Sequence, residues 1–171
     1  MTPFSVTTLT DICLNTFGKT STGGVLEMHG GVYTFQARAR IYNIGNPAGQ
    51  FGQGVPGIGY GSLNRQAFLY GLSTSPASRL NVGVTNPNDV TTTVTIYVKD
   101  RAGAILHTRD VTVPPHSYAQ FNDIKAVFGI PPQDALAIDM YSQGELIYGY
   151  ASEVRNDTGD AVFTFGLSPN S

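Results

Sequence analysis

The stretch "QFNDIKAVFGIPPQDALAIDMYSQGELIYGYASEVRNDTGDAVF" (Gln120–Phe163) decides the fold prediction, because a shorter copy of it opens the chain. "FNDIKAVFG" (Phe121–Gly129) recurs as "LTDICLNTFG" (Leu9–Gly18), with Asp11 over Asp123 and a Phe-Gly closing both. "IDM" (Ile138–Met140) recurs at the same offset as "LEM" (Leu26–Met28). Internal repetition indicates an architecture rather than a chemistry.

Beyond these motifs, alternate apolar or small positions align if the second copy gains one residue in its turn. Tyr33, Phe35, Ala37, Ala39 and Ile41 then lie over Leu146, Tyr148, Tyr150, Ser152 and Val154. Three strand-like runs precede the second copy and none precedes the first. We therefore predict an incomplete first module over residues 1–51, a glycine-rich linker or loop over 52–65, and a complete module over 66–168.

The pattern of apolar residues predicts β-structure throughout. Thr91–Asp100 alternates Val94, Ile96 and Val98 with polar residues, as a half-buried strand does. Val25–Met28 and Tyr33–Ile41 are predicted to form a hairpin. From residue 66 onward, about seven short strands with frequent turns are typical of an immunoglobulin-like sandwich. The predicted strands are 67–72, 78–88, 91–100, 104–115, 135–141, 146–155 and 161–167.

Two short helices are also predicted, one in each copy. Either Thr10 or Asp11 can cap the first helix, and either Asn122 or Asp123 can cap the second. Gly18 and Gly129 can end the two helices in the left-handed conformation. Each helix is expected to plug one end of a sandwich. The fold prediction is thus all-β: an immunoglobulin-like antiparallel β-sandwich with two short helices, an internal pseudo-repeat and an incomplete first copy.

Composition excludes several classes of protein. Charged residues make up 13% of the chain, about half the usual fraction. The net charge is −2 and the basic residues form no run, so neither a nucleic-acid stripe nor a basic membrane patch is expected. Cys13 is the single cysteine, so no disulfide can form within the chain, and it is predicted to be a small buried hydrophobe. No apolar run is long enough for a transmembrane helix, and a secreted form would have lost its signal peptide.

Candidate interaction residues lie in the first third of the chain and on one later strand. "GNPAGQFGQGVPGIGYG" (Gly45–Gly61) contains seven glycines and is predicted to be a long ordered loop, since no strand and helix flank it as a phosphate cradle requires. Its apolar side chains could dock on a neighbour. Arg38 and Arg40 share the solvent face of their strand, where they either bind an anion or are simply solvated. The candidates are Phe51, Val55, Ile58, Tyr60, Arg38, Arg40 and Tyr97.

No catalytic or metal motif is found. His29, His107 and His116 are too dispersed for a metal signature. Asn156, Asp157 and Asp160 either present oxygens to Ca²⁺ or, as we favour, form an Asx turn. Arg79 and Asn81 are predicted to pin a strand to the adjacent turn. We therefore expect no enzyme activity, no cofactor and no bound metal.

Three segments resemble a known family: "RLNVGVTNPNDVTTTVTIYVKDRAG" (Arg79–Gly103), "VTVPPHSYAQFNDI" (Val111–Ile124) and "YGYASEVRNDTGDAVF" (Tyr148–Phe163). They are similar to the tandem Ig-like modules of large secreted bacterial proteins. The matching positions are Arg79, Asn81, Gly83, Asn86, Pro114, Pro115, Tyr150, Ala151, Ser152, Asn156, Thr158, Gly159 and Asp160. The resemblance implies a noncatalytic accessory, spacer or surface module.

Together these observations favour a structural or interaction module located outside the cell or on its surface. Because the first copy lacks strands, its exposed sheet edges are expected to recruit strands from other chains, giving a dimer or a filament. The partners expected are a second copy or other domains of a parent protein, with no nucleic acid and no membrane insertion. The alternative is a glycan-binding or adhesion module that uses surface tyrosines.

Overall fold

The fold follows from the period-two alternation of the strands, which gives each sheet one apolar face. The computed structural model describes residues 5–20, 23–30, 35–43, 45, 47 and 49–168. The elements are α1 (Ile12–Asn15), β1 (Arg38–Asn43), β2 (Phe51–Pro56), a 3₁₀ helix (Tyr60–Ser62), β3 (Gln66–Leu72), β4 (Ser78–Asn86), β5 (Thr92–Lys99), β6 (Ile105–Val113), β7 (Ser117–Phe121), α2 (Ile124–Phe128), β8 (Leu136–Ser142), β9 (Tyr148–Arg155) and β10 (Ala161–Phe165).

Eight of these strands form two four-stranded antiparallel sheets. The first sheet has the order β10-β9-β4-β7 and the second has the order β3-β8-β5-β6. The predicted all-β sandwich with two short helices is confirmed. Strand β7 was not predicted, because it is a short run between the Pro114-Pro115 turn and α2.

The strand order is a variation on the immunoglobulin order. If β3 to β10 are lettered A to H, the sheets read H-G-B-E and A-F-C-D, whereas an immunoglobulin constant domain has A-B-E-D and G-F-C. The central B–E and C–F pairs are common to both arrangements. Strands A and G have exchanged sheets, and D pairs with C.

The core lies between the two sheets and is built from strands β3 to β9 and α2. Leu80, Val82 and Val84 of β4 face Val94, Ile96 and Val98 of β5, and all six are fully buried. Burying an aliphatic side chain contributes about 1.5–3 kcal/mol, so these two strands carry much of the stability. Among the described residues, no apolar side chain before Ala67 belongs to the core.

The two helices are alike in backbone and different in packing. Asp11 and Asp123 both precede their helices in the left-handed conformation, and Gly18 and Gly129 follow them with φ of 62° and 65°. α2 buries Ile124 and Phe128, whereas α1 buries none of its residues. The prediction that α1 plugs a sandwich and that Cys13 is buried was therefore wrong, since Cys13 is only half-buried.

The predicted caps also differ from each other. The Asp11 carboxylate accepts a hydrogen bond from the Leu14 amide at 3.4 Å. The Asp123 carboxylate makes no capping hydrogen bond, and its backbone amide instead donates to Asn81 Oδ1 at 3.0 Å. Asn81 thus attaches the start of α2 to β4. The prediction that the Asp123 side chain caps α2 did not anticipate this contact.

The N-terminal hairpin differs from the predicted one. Residues 25–28 form no strand. The strand predicted over 33–41 is observed only from residue 38, as β1, since residues 35–37 form no strand and residues 31–34 lie outside the described part of the chain. Its partner is β2, within the segments predicted to be a loop (45–61) and a linker (52–65). The glycines suggested a loop, but Gly52 allows β2 to approach β1 closely. A Cβ at this position would lie 2.1 Å from the Ile41 carbonyl oxygen.

The strands of the two copies correspond without the extra residue that was predicted in the turn, so that Ala39 matches Ala151 rather than Ser152. Gly57 N–H donates to the Ala37 carbonyl, so odd-numbered residues of β1 face β2. Arg155 N–H donates to the Asp160 carbonyl, so odd-numbered residues of β9 face β10. When Ala39 is matched with Ala151, the residues that hydrogen-bond to the hairpin partner correspond in the two copies. A match shifted by one residue would place each of them over a residue whose backbone groups and side chain point the opposite way.

A buried amide, Asn86, joins several turns at one end of the sandwich. Its Nδ2 donates to the carbonyls of Val90, Val113 and Pro114 at 2.8–3.0 Å. Its Oδ1 accepts from the backbone and side-chain N–H groups of Asn88. Buried polar groups are stable only when they are paired in this way.

Asn86→Ala is expected to lower the free energy of unfolding by about 3 kcal/mol, because it leaves the carbonyl of the buried Val113 and the buried N–H groups of Asn88 without partners. Denaturant unfolding followed by circular dichroism would measure the change. The matched control is Asn122→Ala at an exposed site, which is expected to change stability by less than about 0.5 kcal/mol. Equal stability of the two variants would contradict the assigned role of Asn86.

Candidate interaction surfaces

The outer edge of β1 is unpaired within the described part of the chain. Among the described strands β1 pairs with β2 alone, and its odd-numbered residues direct their backbone groups toward β2. The N–H and C=O groups of Arg38, Arg40 and Tyr42 therefore lie along the other edge. When the two copies are matched through Ala39 and Ala151, the corresponding edge of β9 pairs with β4 along its length.

The hairpin lies on the outside of the sandwich through β2. Gln53 and Ser152 are joined by a side-chain hydrogen bond of 2.7 Å, and β2 lies against β10. Ser152 is on the outer face of the first sheet, because its neighbour Ala151 points into the core. This contact leaves β1 as the strand farther from the sandwich.

Apolar side chains before residue 66 are mostly exposed, in contrast with those that follow. Ile41 is 59% exposed on β1, and Tyr60 is 60% exposed after β2. Among the described residues of this part, the other exposed large apolar ones are Val6, Leu9, Leu14, Phe17, Leu26, Met28, Phe35 and Tyr42. Such a concentration of exposed apolar surface is typical of an interaction region.

The predicted interaction residues are spread over both surfaces. Arg38 and Arg40 are exposed, and the Arg40 guanidinium lies 5.4 Å from the centre of the Tyr42 ring. Phe51, Val55 and Ile58 are half-buried, whereas Tyr60 is exposed and donates to Asn88 Oδ1 at 3.4 Å. Tyr97 lies apart from these residues, on β5 in the second sheet.

Tyr97 belongs to a row of aromatic rings on the outer face of the second sheet. Its ring meets Tyr141 edge-on at 5.8 Å, Tyr141 meets Phe68 at 5.9 Å, and Phe68 stacks with Tyr70 at 6.3 Å. Lys99 and Asp139 form an ion pair beside the row, and the hydrogen bond to Asp139 raises the pKa of Lys99. We call this row the aromatic face.

The outer face of the first sheet carries a second group of rings that is more covered. Tyr150 lies flat across Gly83, where a Cβ would be 2.2 Å from the ring, and its hydroxyl donates to Gln120. It stacks with Tyr148 and Phe163 at 6.3 and 5.6 Å. Burial raises the pKa of Tyr150 to about 12, and it also raises the pKa of Tyr148.

The edges of the two sheets meet where β3 pairs with Leu167. Phe68 and Leu167 exchange two backbone hydrogen bonds of 3.0 and 2.8 Å. Beside this junction is an open groove of about 260 Å³ lined by Phe68, Tyr70, Phe163, Thr164, Phe165 and Leu167. The groove adds apolar surface at one margin of the aromatic face.

The predicted turn residues lie at the other end of the first sheet. Arg79 donates to Asn156 Oδ1 at 3.2 Å, which attaches β4 to the turn between β9 and β10. Within that turn the Asp160 amide donates to Thr158 Oγ1 at 3.1 Å. Asp157 accepts two hydrogen bonds from Arg155, which lower the pKa of the Asp157 carboxyl. A turn held by these hydrogen bonds needs no Ca²⁺ to fix its shape.

The described residues contain no group of three or more metal-ligating side chains placed to hold a metal ion. None of the described helices is long and apolar enough to cross a membrane.

One cluster that sequence reasoning missed attaches the N-terminal segment to the sandwich. His116 Nδ1 lies 3.1 Å from Glu27 Oε1, and its Nε2 lies 2.8 Å from Asp89 Oδ1. His29 lies 3.8 Å from the other oxygen of Glu27. The sequence gives no signal for this cluster, because Glu27 is 89 residues from His116.

Both ring nitrogens of His116 face carboxylates, so only the doubly protonated imidazolium can donate to both. The hydrogen bonds to Glu27 and then to Asp89 raise the pKa of His116 above its ordinary value of 6.5. A raised pKa in the folded state stabilises the attachment fully below about pH 6.5, and the stabilisation is lost as the pH rises through the raised pKa.

An NMR titration of His116 is expected to give a pKa above the ordinary value in the wild-type chain. Glu27→Gln should lower this pKa toward the ordinary value, because it removes the strongest partner of the imidazolium. The matched control is Asp134→Asn, whose carboxylate pairs with Arg101 instead and should leave the titration unchanged. An ordinary pKa in the wild-type chain would show that the attachment does not form in solution.

Comparison with known proteins bears on the fold alone. No family model matches the chain, and no curated protein matches it. The crystal structure of Thermotoga maritima 1070 is similar, with a TM-score of 0.50 and 18% identity over 60% of this chain and 92% of that chain. The Anabaena sensory rhodopsin transducer gives a TM-score of 0.37 and 15% identity over 57% of this chain and 94% of that chain, which is too low to support an argument. The first likeness supports the β-rich fold.

Proposed function

We propose that this protein is a noncatalytic extracellular interaction module that assembles by adding a strand from another chain to β1. The observation that carries the proposal is the outer edge of β1, which is unpaired within the described residues, whereas the equivalent edge of β9 pairs with β4. An unpaired edge presents a row of backbone donors and acceptors, and strand addition satisfies them.

The distribution of apolar surface supports the same proposal. The core begins at Ala67, while the described part before it exposes residues such as Ile41 and Tyr42. A two-stranded hairpin is at best marginally stable alone, and it gains stability when it becomes part of a larger sheet. A third strand on β1 would extend that sheet and cover apolar surface at once.

An extracellular location and a noncatalytic role are part of the proposal. The low content of charged residues and the hydroxyl-rich strands suit an extended module of a secreted protein. The resemblance to tandem Ig-like modules leads to the same expectation. Other domains of a parent protein remain alternative partners for the β1 edge.

Arg40→Pro tests the role of the edge, because it removes an outward N–H that β2 does not use. Proline is tolerated at such positions of edge strands, and the core lies elsewhere, so the sandwich should unfold at the same temperature. Light scattering over a range of concentrations should show association weakened about tenfold or more, as the loss of backbone hydrogen bonds predicts.

Arg40→Ala is the matched control, since it removes the same side chain and keeps the N–H group. It should associate more strongly than Arg40→Pro. A wild-type chain that stays monomeric, or one whose association is unaffected by Arg40→Pro, would rule out assembly through β1.

The aromatic face supports an alternative function, which is binding of a glycan. Tyr70 is 56% exposed at one end of the row and Tyr97 is half-buried at the other, so sugar rings could stack along it. On a polysaccharide panel, Tyr70→Ala and Tyr97→Ala should each reduce binding, whereas Tyr42→Ala on β1 should not. A wild-type chain that binds no polysaccharide would exclude this alternative.

A further inference from the structure

We infer that the strand added to β1 is β1 of a second copy, paired antiparallel with Ile41 opposite Ile41 of the partner chain. This inference rests on the proposed function and names its partner. Both chains contribute the same edge of β1, so the dimer has twofold symmetry. The two hairpins together form one four-stranded sheet.

The phase of the hydrogen bonds limits the arrangements that two such edges can adopt. The outward backbone groups belong to Arg38, Arg40 and Tyr42, so hydrogen-bonded pairs must join even-numbered residues of both strands. A symmetric antiparallel pair that joins more than one residue of β1 can therefore be centred on residue 39, 40, 41 or 42, and pairing centred between two residues is excluded. Centring on residue 39 or 42 leaves only three residues of β1 paired, whereas centring on residue 40 or 41 pairs five.

Charge decides between the two remaining arrangements. Centring on Arg40 places two guanidinium groups directly opposite each other, and like charges in that position are destabilising. Centring on Ile41 places each Arg40 opposite Tyr42 of the partner chain. Within one chain Arg40 already lies 5.4 Å from the Tyr42 ring, so the cation–π contact would extend across the new interface.

Burial of Ile41 favours the same arrangement. Its side chain is 59% exposed, and it lies on the face of the hairpin that also carries Gln53. Opposite residues that do not exchange hydrogen bonds bring their side chains close together, with Cβ atoms about 4.5–5.5 Å apart. Two isoleucines would thus cover each other at the centre of the sheet.

The position of the hairpin permits this pairing. β2 lies against β10, so β1 is the outer strand and its free edge is directed away from that contact. Because the same edge is used by both chains, the interface closes on itself. A dimer is expected rather than an open filament.

Cysteine crosslinking tests the arrangement in full-length protein that carries Cys13→Ala. Ile41→Cys should form a covalent dimer under mild oxidation, because opposite residues of this kind meet the geometry of a disulfide. Ala39→Cys is the matched control on the same strand, with the two thiols about 13 Å apart in the inferred pairing. We expect about tenfold more covalent dimer from Ile41→Cys than from Ala39→Cys.

A mixture of the two variants separates the alternatives. Centring on Arg40 would place residue 39 opposite residue 41, and it would give disulfides between Ala39→Cys and Ile41→Cys chains. That result would overturn the inferred pairing. Association that is weakened by Arg40→Pro without any Ile41→Cys dimer would also overturn it, yet would leave strand addition at β1 intact. Association unaffected by Arg40→Pro would instead reject the proposed function itself.

Discussion

The sandwich depends on one buried amide that satisfies the backbone of several turns at once. Asn86 lies at the end of β4 and shares its Nδ2 among three carbonyls, two of which lie where β6 ends. Asn88 continues the network to the Leu146 carbonyl and accepts from the Tyr60 hydroxyl. A fully paired buried network is rigid and specifies one arrangement, whereas a single missing partner makes it unfavourable. These two asparagines therefore fix how the sheets are joined at this end.

The N-terminal third of the chain depends on that framework, and none of its described residues belongs to the core. Its contacts with the sandwich include two polar ones, Gln53 to Ser152 and the pair that His116 forms with Glu27. Polar contacts near the surface contribute little stability each. A segment attached in this way can be rearranged or completed by a partner at small cost, and this property suits the assembly that we propose.

The internal repeat links the two parts of the chain. Asp11 and Asp123 adopt the same left-handed conformation, and both hairpins have the same hydrogen-bond phase when Ala39 is matched with Ala151. In the second copy β9 is a central strand, flanked by β10 and β4. In the first copy β1 has one neighbour among the described strands. The repeat thus defines which edge lacks a partner within the described part of the chain.

The sequence by itself determined the class of fold, the eight-strand region apart from β7, and the two short helices. Local alternation of apolar residues and turn-forming residues sufficed, because strand period and turn chemistry act over a few residues. Only the tertiary structure decided that β2 is a strand, that strands A and G exchange sheets, and that Glu27, Asp89 and His116 meet. The glycines of β2 favour a loop, and pairing with β1 overrides that preference. Which residues of the two copies correspond was visible only in the hydrogen bonds of the two hairpins. Contacts between distant residues leave no local pattern, so the edge of β1 that no described strand pairs with could be located only once the chain was folded.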